Sequence, residues 1–229
     1  MPQQGSTTEQ DALVFDVNET LLDVGTMAPA FRETVGSDAL LPIWFARMLR
    51  DSLLATVTAS YRRFDELGTS ALRAVAREAG VELNVPAAAN VVDRMRSLPA
   101  HPDVPGALER LAGAGFRLAT LTNSAPDVIA DQLRNAGLDQ YFEQLVSVDD
   151  VRVFKPHPAT YAHAATQLGT HVGGVRLVAA HDWDVVGAIR AGARAAYVAR
   201  NTPLSADPAE TPDIIAPDLG GIADRLIDG

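Results

Sequence analysis

The clearest hydrophobic pattern in the chain is a short unbroken run, Ala12-Leu13-Val14-Phe15. It ends at Asp16 and passes into Val17-Asn18-Glu19-Thr20-Leu21-Leu22-Asp23. A run with no polar alternation reads as a parallel strand buried on both faces. That places Asp16 at the carboxyl end of a strand, where open α/β sheets bind ligands. Taken alone, the stretch reads equally as a strand that ends in a turn-forming aspartate.

From Asp23 to about Pro99 the pattern is helical throughout. Over 40–64, Leu41, Phe45, Met48, Leu49, Leu53, Val57, Tyr61 and Phe64 recur at helical spacing, which predicts one long helix. Thr69 or Ser70 is placed to cap a second helix over 71–79, closed by Gly80, and Pro86 opens a third over 86–97. The proline-rich stretch 98–105 is the return point. Beyond it, helices over 107–114, 126–136, 158–168, 184–191 and 219–227 alternate with strands over 117–122, 145–148, 175–180 and 195–199. A loop with three prolines fills 201–212. This alternation predicts an α/β protein: a doubly wound parallel sheet with helices on both faces. Right-handed crossovers then set all the strand ends on one rim. The expected organisation is a disordered tail at 1–11, a core domain of 12–23 and 99–229, and an inserted helical cap domain at 24–98.

Composition narrows the field. The chain has 229 residues, 47% hydrophobic and 21% charged, as in soluble globular proteins. Its net charge of −10 argues against nucleic-acid or anionic-membrane partners. An anionic substrate must therefore be drawn by a few local cations and helix N-termini. The absence of cysteine removes disulfides, thiolate zinc sites and cysteine nucleophiles, and fits a reducing cytoplasm. Residues 1–11 lack the pattern of a signal peptide, and no apolar run has bilayer-spanning length. The expectation is a cytoplasmic protein.

Three further stretches bring polar residues to the rim. Thr122-Asn123-Ser124-Ala125-Pro126 joins a strand to a helix start, where outward N–H groups favour an anion, although Ser124 as a plain N-cap explains it equally. In Phe154-Lys155-Pro156-His157-Pro158 the two prolines fix the backbone that carries Lys155. Tyr161, one turn on, is either a hydroxyl near the substrate or core packing. His181-Asp182-Trp183-Asp184 follows the next strand with more polar residues than capping requires. Asp184 as an N-cap and His181 as a surface histidine are the plain alternatives.

These four stretches, in this order, resemble the motifs of the haloacid dehalogenase superfamily, whose fold has a Rossmann-like core with an inserted cap. Phe15-Asp16-Val17-Asn18-Glu19-Thr20-Leu21 is similar to its first motif, and the resemblance covers nearly the whole chain. It implies that Asp16 is the nucleophile, with Thr20 four residues on. It puts Thr122 in the second motif. Lys155 balances the charge of the nucleophile and its partner carboxylate, and Asp184 is the shared acid. The phosphatases of the superfamily carry an Asp general acid where this chain has Asn18, and an Mg²⁺-binding Asp where it has Ala179. Alanine offers a hard cation no ligand, whereas a halide is a stable leaving group that needs no proton. The chain therefore resembles the type II (S)-2-haloacid dehalogenases most.

That branch implies metal-independent hydrolysis of a small anionic 2-haloacid with no cofactor. Asp16 displaces halide from C2 with inversion, and water then cleaves the ester with help from Asp184 and Lys155. Thr20, Thr122 and Asn123 hold carboxylates and oxyanion. Asn18, Phe45, Arg47, Tyr161, His181 and Trp183 complete the substrate shell, with His181 where the family often has Asn at the water site. Departures fall in that shell. Asn18 replaces an aromatic residue, and Ala179 and Ala180 lack the family's second small hydroxyl residue. Trp44 is followed by Phe45 where the family carries a halide-receiving Arg, and Arg47 lies about 200° further round a helix. The expectation is a dehalogenase-like hydrolase with an atypical halide and substrate shell. The alternatives are a phosphatase using Asp182 and Asp184 for Mg²⁺, and a non-catalytic binding protein. A homodimer through the apolar cap helix is a further implication, and burial of that helix within the cap is the other reading.

Overall fold

The computed structural model describes residues 12–200, 204 and 210–229. The tail expected at 1–11 and most of the loop expected at 201–212 lie outside the described residues. Six strands, β1 (Ala12–Phe15), β2 (Leu118–Thr122), β3 (Gln144–Ser147), β4 (Val175–Ala179), β5 (Arg194–Val198) and β6 (Ile214–Ala216), form one parallel sheet in the order β3-β2-β1-β4-β5-β6. Every residue of β1, β2 and β4 is buried, as expected of central strands covered on both faces. The chain leaves β1 toward β2 and β3, then crosses back to β4 on the other side of β1. This reversal opens the crevice beside β1 in which such sheets hold ligands.

Residues 24–98 contribute helices and no strand. They hold α1 (Ala28–Val35), α2 (Leu40–Val57), α3 (Phe64–Glu78) and α4 (Val85–Asp93), ahead of α5 (Val104–Gly113). Trp44 of α2 is fully buried, and its indole N–H donates to the Gly68 carbonyl of α3 at 2.8 Å. A Cβ at Gly68 would lie 2.8 Å from the Met48 sulfur, so only glycine lets these helices approach so closely. Around the sheet lie α6 (Pro126–Asn135), α7 (Pro158–Gln167), α8 (Asp182–Arg190) and α9 (Leu219–Asp228).

The sequence pattern is corrected at three points. The helix expected over 40–64 stops at Val57, because Ala59 takes a left-handed backbone with φ +52°. Phe64 instead begins α3, with Asp65 and Glu66 in its first turn, where acidic residues suit the helix dipole. Thr69 and Ser70, expected as caps, lie inside α3, and their hydroxyls donate back to the Asp65 and Glu66 carbonyls. The short edge strand β6 was not anticipated. On α2, Leu41, Trp44, Phe45 and Met48 face inward, while Ile43, Leu53, Leu54 and Val57 stay exposed. No helix among the described residues is long and apolar enough to cross a membrane.

Candidate active site

The ends of β1, β2 and β4, the loop before α7 and the start of α8 converge on Asp16, which is buried at the last turn of β1. Each of its oxygens has different company. Oδ1 accepts from the Lys155 ammonium at 2.8 Å. Oδ2 accepts from the Thr20 hydroxyl at 2.7 Å and lies 2.9 Å from His181 Nδ1. A carboxylate oxygen has two lone pairs, so Oδ2 is fully occupied and Oδ1 keeps one open. The backbone N–H of Ala180 donates to Thr20 Oγ1 at 2.9 Å, which turns the hydroxyl proton toward Asp16.

Lys155 is buried, and each of its three N–H bonds has an acceptor. They are Asp16 Oδ1, Asp184 Oδ2 at 2.6 Å and the Leu121 carbonyl at 2.9 Å. Its backbone N–H donates to Asn123 Oδ1 at 3.1 Å, so the second motif fixes the third. Asp184, fully buried on α8, also accepts from the Tyr161 hydroxyl at 2.6 Å. Gly187 makes this possible: a Cβ there would come 2.3 Å from Pro156 Cβ and 2.6 Å from the Tyr161 hydroxyl.

The charges follow from this packing. Burial works to raise the Asp16 carboxyl, but Lys155 and the His181 hydrogen bond outweigh it and hold it well below the usual carboxylate range. Asp16 is thus ionised at any working pH. Burial works to lower Lys155, and Asp16 and Asp184 hold it up. Asp184 is raised by burial and by the Asp16 charge, against the pull of Lys155. Tyr161 is pushed up by burial and Asp184, so it remains a donor.

Beside Lys155 lies a cavity of about 270 Å³, lined by Ala46, Leu49, Arg50, Ser52, Leu53, Lys155 and Trp183. It is mostly apolar and closes over Lys155 from α2. A larger cavity of about 590 Å³ lies between α3, α4 and the start of α6, with Phe64, Arg73, Arg96 and Ser124 among its walls. It has none of the groups that touch Asp16. The smaller cavity is therefore the one placed for chemistry.

Of the residues singled out in the sequence, Asp16, Thr20, Lys155, Tyr161, His181 and Asp184 form one hydrogen-bonded set. Phe45 and Trp183 each stack against the His181 ring, with centroids at 6.1 and 5.1 Å. Four others are placed differently. Arg47 turns to Glu78 at 2.6 Å and does not line the cavity. The Asn18 side chain turns to Gln132 and Ser124, at 2.9 and 3.3 Å, instead of toward Asp16. Thr122 Oγ1 accepts from the Ser124 N–H at 3.1 Å, and Asn123 holds the Lys155 backbone. Both stay at the β2 end without a hydrogen bond to Asp16. Tyr161 contacts Asp184 and not the cavity wall. Asp182, weighed for Mg²⁺, turns back on the first turn of α8, accepting from the Trp183 N–H at 2.7 Å. Among the described residues no group of three His, Cys, Asp or Glu is arranged to hold a metal ion.

Two participants escaped the sequence reading. Arg50 lines the cavity, and its signal was available: Ala46, Leu49, Arg50 and Leu53 follow i, i+3, i+4, i+7 spacing, one helical stripe. Glu19 reaches His181 Nε2 at 2.9 Å, and nothing in its spacing announced that.

A family model of haloacid dehalogenase-like hydrolases matches residues 10–192. The chain is 33% identical to the (S)-2-haloacid dehalogenase of Xanthobacter autotrophicus, over 82% of this chain and 75% of that one. It is 29% identical to haloacetate dehalogenase H-2 of Moraxella sp. (strain B), over 93% and 96%. The solved structure of L-2-haloacid dehalogenase from Xanthobacter autotrophicus with chloropropionic acid covalently bound superposes with a TM-score of 0.90 at 30% identity, covering 96% of this chain and 99% of that one.

Proposed function

The chain belongs to the haloacid dehalogenase-like hydrolases, and from that premise we propose that it converts a short 2-haloalkanoic acid to the 2-hydroxy acid through an ester on Asp16. One observation carries this reading. Asp16 Oδ1 keeps an open lone pair beside Lys155, and Lys155 is the inner wall of a small apolar cavity. A covalently bound haloacid in the Xanthobacter structure supports it.

In the displacement, Oδ1 attacks C2 from the side opposite the halogen. The C–halogen pair leaves with the halide, and C2 inverts. The cavity wall of Ala46, Leu49, Leu53 and Trp183 excludes water around the departing halide. Thr122 and Asn123, at the β2 end, receive the substrate carboxylate with the N–H groups at the start of α6. In the second step water adds to Cγ of Asp16 and gives one proton to Asp184. As the Cγ–Oδ1 bond breaks, Lys155 protonates the departing oxygen, and Asp184 returns its proton to Lys155 across 2.6 Å. The new carboxylic acid then ionises, releasing the proton that accompanies the halide. No step calls for a metal, because the leaving group is already a stable anion.

Halide release from L- and D-2-chloropropionate, chloroacetate and fluoroacetate in the presence of EDTA tests this. Metal-independent release is expected. Mg²⁺-dependent release of phosphate from p-nitrophenyl phosphate with no halide would overturn it.

We place at Arg50 the anion-reading role weighed for Arg47: it lines the cavity, and its guanidinium, paired with Asp51 at 2.6 Å, must turn from that partner to reach an anion. Arg50→Ala is expected to raise KM for the haloacid roughly tenfold, about 1.4 kcal/mol, with kcat little changed. Arg47→Ala is expected to leave KM alone, since it does not line the cavity. Steady-state kinetics of the two variants decide the assignment. The exposed Ile43, Leu54 and Val57 face of α2 is the surface on which we place a homodimer contact. A monomer by light scattering would remove it.

A further inference from the structure

The displacement and hydrolysis above leave one charged pair at the nucleophile unused. His181 stands at the N-cap position of α8, with Nδ1 2.9 Å from Asp16 Oδ2 and Nε2 2.9 Å from Glu19 Oε2. Ionised carboxylates only accept hydrogen bonds, so both ring nitrogens carry protons and the ring is an imidazolium. Phe45 and Trp183 both stack against it, at interplanar angles of 22° and 29°. Glu19 holds its position with φ +62°, a left-handed backbone that glycine adopts freely and glutamate only under strain. The chain accepts that strain and in return has a carboxylate aimed at Nε2.

We propose that His181 is a catalytic residue of the second half-reaction, donating with Thr20 to the oxyanion that forms on Oδ2 during hydrolysis of the Asp16 ester, and that Glu19 is its positioning residue. This rests on the ester reading above. Because Oδ1 is the oxygen with an open lone pair, it becomes the ester oxygen, and Oδ2 becomes the ester carbonyl. Water adds to Cγ and the carbonyl π pair moves onto Oδ2. Two donors, Thr20 Oγ1–H and His181 Nδ1–H, already stand at 2.7 and 2.9 Å from that atom. Charge therefore develops where donors need no reorganisation. On collapse the pair returns to the Cγ–Oδ2 bond and the Cγ–Oδ1 bond breaks. The imidazolium keeps its proton throughout. It also differs from Lys155, which meets Oδ1, so leaving group and oxyanion are served by separate cations.

The test separates the two half-reactions of L-2-chloropropionate in His181→Ala, which removes the donor; Asn, the residue the family often carries here, would keep one. The expected result is a burst of about one halide per site near the wild-type rate. Steady turnover is then slower by about 10²–10³-fold, with the propionate ester found on the Asp16 peptide by mass spectrometry. Glu19→Gln gives a second readout that a merely structural role would not move. The charged groups around His181 are Asp16 and Glu19 from the turn after β1, Lys155 from the loop before α7, Asp182 and Asp184 on its own helix, and Arg50 on α2 beyond Trp183. Burial works to lower His181, but its hydrogen bonds to Asp16 and Glu19 raise it to about 10. The protonated ring is the active form; in the ester Asp16 is neutral and Glu19 alone holds the ring up, so hydrolysis in the wild type declines as pH rises through a value below that of the resting enzyme. In Glu19→Gln the decline is expected to move toward neutral pH. Should His181→Ala fail to fold, Glu19→Gln decides. Wild-type turnover in His181→Ala with no ester accumulation, or an unmoved alkaline decline in Glu19→Gln, would overturn the proposal alone. A wild type that releases no halide from any haloacid would overturn the ester reading and this one with it.

Discussion

Asp16→Asn is expected to abolish halide release, with turnover down by at least about 10⁴-fold. Three features make so large a loss the expected outcome. The carboxylate is buried and ionised beside Lys155, so it needs no base to activate it. A carboxamide keeps the shape but has no charge to push onto C2. Its NH₂ group must also point either at the Lys155 ammonium or at the Thr20 and His181 donors, so one formerly matched contact becomes donor against donor. The measurement is chloride release at saturating 2-chloropropionate, with circular dichroism as the check on folding. A folded Asn variant with wild-type release would remove Asp16 from the reaction.

Lys155→Met is expected to damage stability and activity together. The lysine lies between two buried carboxylates, 2.8 Å from Asp16 and 2.6 Å from Asp184. Removing one partner of a buried ionic set costs about 3–5 kcal/mol, because the remaining charges stay buried and uncompensated. Turnover should fall by about 10³-fold or more, since ester cleavage loses the donor to its leaving oxygen. The loss also has a pH signature. In the wild type Asp16 is held low, so its contribution to stability is present above the ordinary carboxylate range and is lost as pH falls through its folded value. Without Lys155, burial governs and two facing carboxylates cannot both remain charged, so at least one is raised. A raised group stabilises the fold more as pH falls. The urea midpoint of Lys155→Met should therefore lie far below wild type near pH 7 and recover part of the gap near pH 5. A constant gap at both would contradict the charge argument.

Much of this site was legible in the chain because it sits at strand ends, where pattern is strongest. Asp16, Thr122 and the residues after β4 each end an apolar run, and parallel topology brings such ends together whatever lies between. Lys155 was legible because two prolines, Pro156 and Pro158, follow it and fix its backbone. Phase on a helix was the weak point. Arg47 was weighed by its nearness to Trp44, yet α2 presents the 46-49-50-53 stripe to the cavity, which selects Arg50. The break between α2 and α3 was hidden because Tyr61 and Phe64 continue the apolar spacing across it. The backbone reverses at Ala59, a residue with no turn signature. Glu19 was unreadable for a related reason: an acid in a polar turn is ordinarily solvated, and only its left-handed backbone brings it to His181. Asn18 was read against what other family members carry there, and its partners, Gln132 and Ser124, come from over a hundred residues away.

The unequal treatment of the two Asp16 oxygens has an isotopic consequence. Oδ2 stays held by Thr20 and His181 through both steps, while Oδ1 departs with the product. The solvent oxygen that replaces it must settle on the Lys155 side, and the next substrate removes that same atom. In ¹⁸O water the first turnover would yield unlabelled hydroxy acid, and every later one would yield labelled product. The enzyme itself would carry no more than one heavy oxygen at Asp16. A carboxylate free to rotate would instead dilute the label over several turnovers, so the isotopic history of the product is a direct record of how firmly that side chain is held.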